Sequence, residues 1–445
     1  MAMQTTARGT WSSSIGFVVA AAGSAIGLGN IWKFPYVTGR NGGGAFILIY
    51  IGCVTFIGVP ILLAEFLIGR RTQRNPVGAF AALRPGTPWS LVGWLGVASG
   101  FLILSYYGVV AGWVLDYVLL SLRDSFAGLP PDRIYALFSD LEGSLPRQIL
   151  WQGAFMGLTI GIVAGGVQAG IERGNEIMMP LLALFMAGLL LYAATTPGAS
   201  AGYDFLLKPR WDQVTPRAFL DAMGQAFFSL SLGMGAMITY GSYLGRDVNL
   251  FRSAWYVALS DTAIALFAGL VIFPLVFAFG LEPAAGPGLL FRTLPVAFAQ
   301  LPLGWLIAAA FFLLVTFAAL SSAISLLEVV VAYFVDERGW TRRRAAVGLG
   351  LVIFVLGIPS AMGEDVLGFM DALASNYMLP LGGLATAVFA GWVLTRHERR
   401  EEVLHPALWR HLFHGWSFLL RWVSPLAVAV VFLEQAGVLS WLFGG

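Results

Sequence analysis

The chain has 445 residues, of which 58% are hydrophobic and only 11% charged, and its mean hydropathy is +0.79. Soluble domains carry about a quarter charged residues, so this composition cannot cover soluble surfaces and reads as a membrane protein. A formal charge of only +2 argues against nucleic acid as a partner. The lone Cys53 excludes an internal disulfide, and four histidines confined to 397–414 exclude haem held between distant helices.

A helical span needs about 20 largely apolar residues. That requirement predicts eleven: 12–37, 42–69, 89–122, 149–169, 176–196, 219–243, 253–281, 303–335, 345–362, 366–394 and 412–444. The runs lack the ten-residue alternation of a membrane barrel. Gly23-Ser24-Ala25 resembles a signal-peptide cleavage site, but ten further spans favour a retained first helix. With the N-terminus inside, sixteen Lys and Arg fall on that side and eight on the other. The positive-inside rule therefore predicts a plasma (cytoplasmic) membrane protein with a cytoplasmic N-terminus and an extracytoplasmic C-terminus. The longest connections, 123–148 and 197–218, are too short to build a core, so 1–445 reads as one transmembrane domain. The mixed-charge stretch 395–411 reads as a solvated helix or loop.

Two spans break the rules of a lipid-facing helix. Span 1 carries Gly23-Ser24-Ala25-Ile26-Gly27-Leu28-Gly29-Asn30, then Lys33 and Pro35; span 6 carries Ser229-Leu230-Ser231-Leu232-Gly233-Met234-Gly235. Glycine costs about 1 kcal/mol relative to alanine in a helix interior, and unwound backbone at membrane depth is tolerated only beside a cavity or inside protein. Small residues four apart, such as Gly23 and Gly27, also serve plain helix packing. The breaks, however, fall at equivalent places in two five-span halves, 12–196 and 219–394, with 412–444 as an added helix. A matched pair of interrupted spans points to an inverted-repeat transporter with its site between the repeats.

Charge within the spans agrees. Glu65, Asp116, Asp261, Glu328 and Asp371 lie where an ionised residue costs about 2.5–3.5 kcal/mol. Glu65 and Asp116 favour structural roles; Asp261 precedes an apolar run with no basic residue, so a bound cation is its natural counter-charge. In span 8, Ser321 and Ser322 sit among small residues. They either back-bond to their own helix or supply oxygens to a hard cation.

These residues resemble the neurotransmitter:sodium symporter family, particularly its bacterial hydrophobic amino-acid transporters of leucine-transporter fold. The strongest marks are the two interrupted stretches, Lys33-Phe34-Pro35, Asn41-Gly42-Gly43-Gly44-Ala45-Phe46 and Gln225-Ala226-Phe227-Phe228. The resemblance implies an all-α polytopic protein and two sodium ions. The first ion would take the Ala25 carbonyl, Asn30, Ser229 and Asp261, with the substrate carboxylate completing the shell. The second would take the carbonyls of Gly23, Ile26 and Ala318 with the hydroxyls of Ser321 and Ser322. The substrate backbone would be held by Tyr107 and by the unwound segments at Ala25, Gly27, Leu28, Gly29, Phe227, Ser229 and Ser231. Its side chain would face Ile103, Phe228, Met234, Ser322 and Leu326, although Ile103 and Leu326 are equally plausible as ordinary core residues.

The resemblance also implies gates. Lys33 and Asp371 stand at the outer gate, where lysine lacks the bidentate fork of arginine, and Phe228 resembles an aromatic lid. Arg8 and Asp336 stand at the inner gate, with Trp11, Tyr243 and Glu328 around it. Gly170 and Pro180 match a Gly-x9-Pro motif tied in relatives to unwinding of span 5. Ala265 replaces the serine that helps chloride-dependent relatives bind their anion, and a fixed carboxylate at Asp261 does the same task, so transport is expected to be chloride-independent. The expected function is sodium-coupled import of hydrophobic, aliphatic or aromatic L-amino acids by alternating access. The alternatives are another small amine or osmolyte as substrate, or a non-transporting amino-acid-sensing receptor. No nucleophile–base pair or metal cluster points to an enzyme.

Overall fold

The computed structural model describes residues 9–281, 288–403 and 410–435, and among them helix dominates and no strand forms beyond one isolated bridge, Gly43 to Pro209. The long elements are α1 (Ser14–Ala25), α2 (Gly29–Arg40), α3 (Gly44–Thr72), α4 (Ser90–Leu122), α5 (Leu145–Ala164), α6 (Val167–Ala194), α7 (Pro216–Ser229) and α8 (Ala236–Gly241). They continue with α9 (Leu250–Ala278), α10 (Gly304–Arg338), α11 (Arg342–Met362), α12 (Glu364–Val393), α13 (Arg396–Val403) and α14 (Leu412–Glu434).

Eight of these helices are long and apolar enough to cross a membrane, and α1 with α2, bent by 55°, makes a ninth. The other two expected spans correspond to α5, whose first turns carry Pro146, Arg147 and Gln148, and to the split pair α7 and α8, of 14 and 6 residues. The expected all-helical class and both interruptions are present. Boundaries moved most at the fourth and fifth spans, because the 167–172 segment joins the fifth helix rather than the fourth. Residues 436–444 of the eleventh expected span, and Arg8 of the inner gate, lie outside the described residues.

Local chemistry explains where the helices start and bend. Ser13 caps α1 by accepting from the Gly16 N–H at 2.9 Å, and Asn249 caps α9 by accepting from Arg252 at 3.0 Å. Five π-helical turns, Gly29–Lys33, Val54–Gly58, Leu289–Thr293, Leu373–Met378 and Leu419–Val423, each end two residues before a proline: Pro35, Pro60, Pro295, Pro380 and Pro425. Proline has no N–H to give and its ring collides with the carbonyl four residues back. Widening the preceding turn moves that carbonyl aside and keeps the helix continuous with a bend.

Burial sorts the helices into centre and rim. The apolar stretches of α4 and α10 are 78% buried and lie against each other, whereas those of α6 and α14 are 28% buried. Leu150, Leu184, Leu191, Leu351, Val352 and Val355 point outward, an apolar belt suited to lipid. Against the centre formed by α4 and α10 stand the two broken segments, which places their unwound backbone inside protein.

Candidate functional site

The break between α1 and α2 is short. Ile26 takes an extended backbone (φ −72°, ψ 102°) while its N–H still bonds the Ala22 carbonyl, so the carbonyls of Ser24 and Ile26 turn out of the helix. The break between α7 and α8 is wider: Ser231, Gly233 and Gly235 all have positive φ. At Gly233 a Cβ would sit 2.1 Å from the Leu379 carbonyl, so that position accepts only glycine. Glu65 of α3 fastens this break, accepting from the Gly233 N–H at 2.7 Å. The carboxylate thus sits at the opening of α8, whose free N–H groups favour an anion. Its structural role matches the reading from sequence, as does that of Asp116, which is paired bidentately with Arg147 at 2.7 and 3.2 Å.

The first expected ion site gathers in space. Ser229 donates to Asp261 at 2.7 Å, Asn30 Nδ2 lies 2.7 Å from the same carboxylate and 3.0 Å from Ser229 Oγ, and Tyr50 donates to Asp261 at 3.3 Å. Asn30 Oδ1 meanwhile accepts from the Gly27 N–H at 3.0 Å. A half-turn of that amide would exchange nitrogen for oxygen beside Asp261, as a cation requires. Asp261 is fully buried, and among the described residues it makes no ion pair. Neutral donors alone surround a group for which burial is costly unless a cation completes it.

At the second site the hydroxyls of Ser321 and Ser322 meet the Ile26 carbonyl at 3.5 and 3.3 Å and the Ala318 carbonyl at 3.0 and 3.3 Å. These serines bond back to their own helix and also face the first break. The Ser24 carbonyl also faces this group, accepting from Ser322 at 3.1 Å and from Ser231 at 2.9 Å. On its side-chain face Gly23 is close to Asn175 and Met179, where an added Cβ would lie 2.3 Å from the Asn175 amide oxygen. Among the described residues no cluster of three His, Cys, Asp or Glu gathers. Hydroxyls, carbonyls and one carboxylate suit a hard monovalent ion rather than a transition metal.

Between the two groups lies a cavity of about 20 Å³ lined by Ser24, Ala25, Gly27, Gly29, Asn30 and Ile103 from one side. Tyr107, Phe228, Ser229, Ser231, Met234, Ser322 and Leu326 close the rest. Ile103 and Leu326 therefore face the cavity as well as the core. The Tyr107 hydroxyl accepts from the Leu28 N–H at 3.3 Å, so Leu28 offers backbone while its side chain turns away. Phe227 packs against Gly383 and lines a separate outer recess of about 320 Å³. Sequence reading missed Tyr50, Ser24 and Ser325, the last bonded to Ser24 at 2.7 Å. Ser24 stood inside the interrupted stretch, but Tyr50 sits in an apolar run without any signal.

The gate residues are placed less simply. Lys33 lies over the Phe228 ring, 5.0 Å from its centre, and makes no ion pair with Asp371, which accepts from Tyr106 and Ser375, each at 3.0 Å. Expectation paired Lys33 with Asp371; the neutral hydroxyls have taken the carboxylate. At the other end Glu328 forms an ion pair with Arg342 and accepts from Tyr243 at 2.5 Å, an arginine partner that sequence spacing did not reveal. Asp336 accepts from the Asn75 backbone at 2.9 Å. Trp11 donates to the Tyr240 carbonyl at 2.9 Å. Gly170 lies in the 167–172 turn and Pro180 within α6.

Comparison with known proteins places this arrangement. The model of the sodium:neurotransmitter symporter family matches residues 8–130 and 142–441. An uncharacterized sodium-dependent transporter of Bacillus subtilis, YhdH, is 42% identical over 443 residues, covering 97% of this chain and 98% of its own. An uncharacterized sodium-dependent transporter of Haemophilus influenzae is 35% identical over 450 residues, covering 96% and 98%. The crystal structure of MhsT in complex with L-phenylalanine superposes with a TM-score of 0.89 at 47% identity, covering 96% of this chain and 99% of that one.

Proposed function

The chain belongs to the sodium:neurotransmitter symporter family, and from that premise we propose that it imports hydrophobic L-amino acids together with two sodium ions, without need of chloride. That it is a multi-pass, sodium-coupled transporter and not an enzyme follows from the family; the substrate class, the ion count and the chloride independence are our reading. The observation that carries it is the meeting of two broken helices around a buried carboxylate with no cationic partner among the described residues, beside a cavity walled by Ile103, Phe228, Met234 and Leu326. An α-carboxylate fits the N–H groups where α2 begins, with the Tyr107 hydroxyl beside them. The apolar wall has no partner for a charged side chain. L-phenylalanine bound to MhsT supports a bulky hydrophobic substrate here.

Small-molecule sites occupy roughly 300–1,000 Å³, so a cavity of about 20 Å³ belongs to a contracted state. Admission of substrate requires Phe228 and Met234 to withdraw. Ser229 and Asn30 would hold the first ion beside the substrate carboxylate, and Ser321, Ser322 and the carbonyls of Ile26 and Ala318 the second. Two ions entering with a zwitterion move two charges, and about 100 mV then supplies about 4.6 kcal/mol. That supports roughly a thousandfold accumulation. The five-span halves 12–196 and 219–394 would rock about this site, with the N-terminus in the cytoplasm and the C-terminus outside.

The test is uptake into proteoliposomes with and without an inward sodium gradient, competed by each of the twenty amino acids. Competition by Phe, Tyr, Trp, Leu, Ile or Val but not Asp or Lys supports the reading. Uptake indifferent to the gradient would sink it, and uptake that collapses when gluconate replaces chloride would sink its chloride clause. Binding without uptake would instead indicate a sensor.

A further inference from the structure

Arg399 is a second buried charge that the transport cycle does not use. It lies in α13, only 1% exposed, and among the described residues its Nε and Nη1 have no hydrogen-bond partner. The charged groups that act on it are two more arginines, Arg421 of α14 and Arg396 of its own helix. Burial and that repulsion hold the Arg399 guanidinium below its ordinary range, at about 10, where it stays charged at neutral pH. The acids on the same helix are committed elsewhere: Glu398 to Arg84 at 2.9 Å, Glu401 to Arg71 at 2.9 Å and Glu402 to Arg70 at 2.9 Å. The expected solvated stretch 395–411 is a helix over 396–403 with most of its charged side chains outward, but Arg399 is buried.

The surroundings are made for an anion at a membrane surface. Arg421 donates from Nε to the Gly391 carbonyl at 2.6 Å and lies over the Trp392 ring at 5.6 Å. Trp392 and Trp422 meet edge-on at 4.7 Å and are each about half exposed, at 49%. Paired tryptophans on an apolar exterior mark headgroup level. Ser424, three residues after Arg421, is buried and Ser417, four before it, is half-buried, and among the described residues neither buried hydroxyl has a partner. A buried charge without a counter-charge is costly, and three guanidiniums with two idle hydroxyls on the helix of one of them supply donors to a tetrahedral oxyanion.

We propose that Arg399, Arg396 and Arg421 bind a phosphate-bearing anion, the headgroup of an anionic phospholipid, where α12, α13 and α14 meet. Basic pockets between helices at the positively charged face of a membrane protein recognise such headgroups. The site is remote from the ion and substrate groups, so it stabilises the fold without taking part in substrate recognition.

Thermal unfolding of the full-length protein in neutral detergent tests this, with phosphatidylglycerol, phosphatidylcholine or inorganic phosphate added. The midpoint is expected to rise by several degrees more with phosphatidylglycerol than with phosphatidylcholine, and Arg399→Met is expected to lose that increment. Without any added anion, Arg399→Met should unfold at or above the unsubstituted protein, since it removes an uncompensated charge. Inorganic phosphate that reproduces the rise assigns the same site to a free anion; phosphatidylglycerol alone assigns it to lipid. Arg396→Gln, on an exposed residue, should remove part of the increment and serves if Arg399→Met does not fold. Equal responses to phosphatidylglycerol and phosphatidylcholine with no response to phosphate, or an undiminished increment in the variants, would overturn the proposal.

Discussion

Carboxylates are treated in opposite ways in two regions of this molecule. At the centre, Asp261 is fully buried and held by hydroxyls and an amide, while Glu65, equally buried, accepts from the Gly233 N–H through one oxygen and leaves the other without a partner among the described residues. At the arginine-rich end, Glu398, Glu402 and Glu328 are each clasped by a guanidinium, from Arg84, Arg70 and Arg342. The difference teaches what each region is for. A carboxylate already paired to arginine is neutral to its surroundings and locks two elements together. One surrounded by neutral donors leaves its charge for a cation that can come and go, or for the exposed N–H groups of a broken helix.

Substitutions can break this contrast, beginning with the largest effect. Asp261→Asn removes the unpaired charge; a charged contact of about 1.5–3 kcal/mol translates to a ten- to hundredfold higher sodium requirement. Sodium-driven uptake at physiological sodium is expected to vanish, and retained uptake would deny Asp261 its role. Gly233→Ala is expected to cost more than about 2 kcal/mol, because positive φ and the Leu379 carbonyl 2.1 Å away leave no room for the backbone to yield. Gly27→Ala, whose Cβ would meet the Ser322 hydroxyl at 2.7 Å, presses on a group that can rotate, so it should weaken substrate binding more than stability. Unfolding midpoints and binding titrations of the two variants separate these outcomes.

Glu65→Gln keeps the shape but loses the charge at the opening of α8, with an expected loss of about 1–3 kcal/mol in thermal or denaturant unfolding. The smallest effect belongs to the clasped end. Hydrogen bonds from Arg84 hold the Glu398 carboxyl at about 2, against an ordinary 4.5, outweighing its burial. A depressed acid stabilises the fold above its unfolded pKa and loses that contribution as pH falls toward the folded one. Glu398→Gln should therefore cost about 0.5–1 kcal/mol at neutral pH. The gap from the unsubstituted protein should narrow below about pH 4.5 and close near pH 2, which unfolding midpoints across that range would show.

Much of the site was legible because rule-breaking residues stand out against apolar runs. The glycines of both interruptions, Asp261, and the serines of α10 were visible for that reason. Tyr50, Arg342 and the lone guanidinium of Arg399 were not, since an aromatic in a span and an arginine at a helix end are ordinary in composition. Their meaning lies in partners 14 or more positions away or, among the described residues, in the lack of them. Lys33 and Asp371 show the converse: residue types suited to an ion pair, placed in the right spans, form none, and Tyr106 and Ser375 donate to the carboxylate while Lys33 lies over Phe228.

Sequence alone determined that this chain lives in lipid and that two of its helices must open, because hydrocarbon tolerates neither scattered charges nor unpaired backbone. Where the helices bend was also written locally, in prolines that force a wider turn before them. Which carboxylate faces a guanidinium and which faces only hydroxyls was decided by packing. A side chain's electrostatic partner is set by distances of a few ångströms between segments from 14 to more than 300 residues apart, and no local pattern encodes those distances.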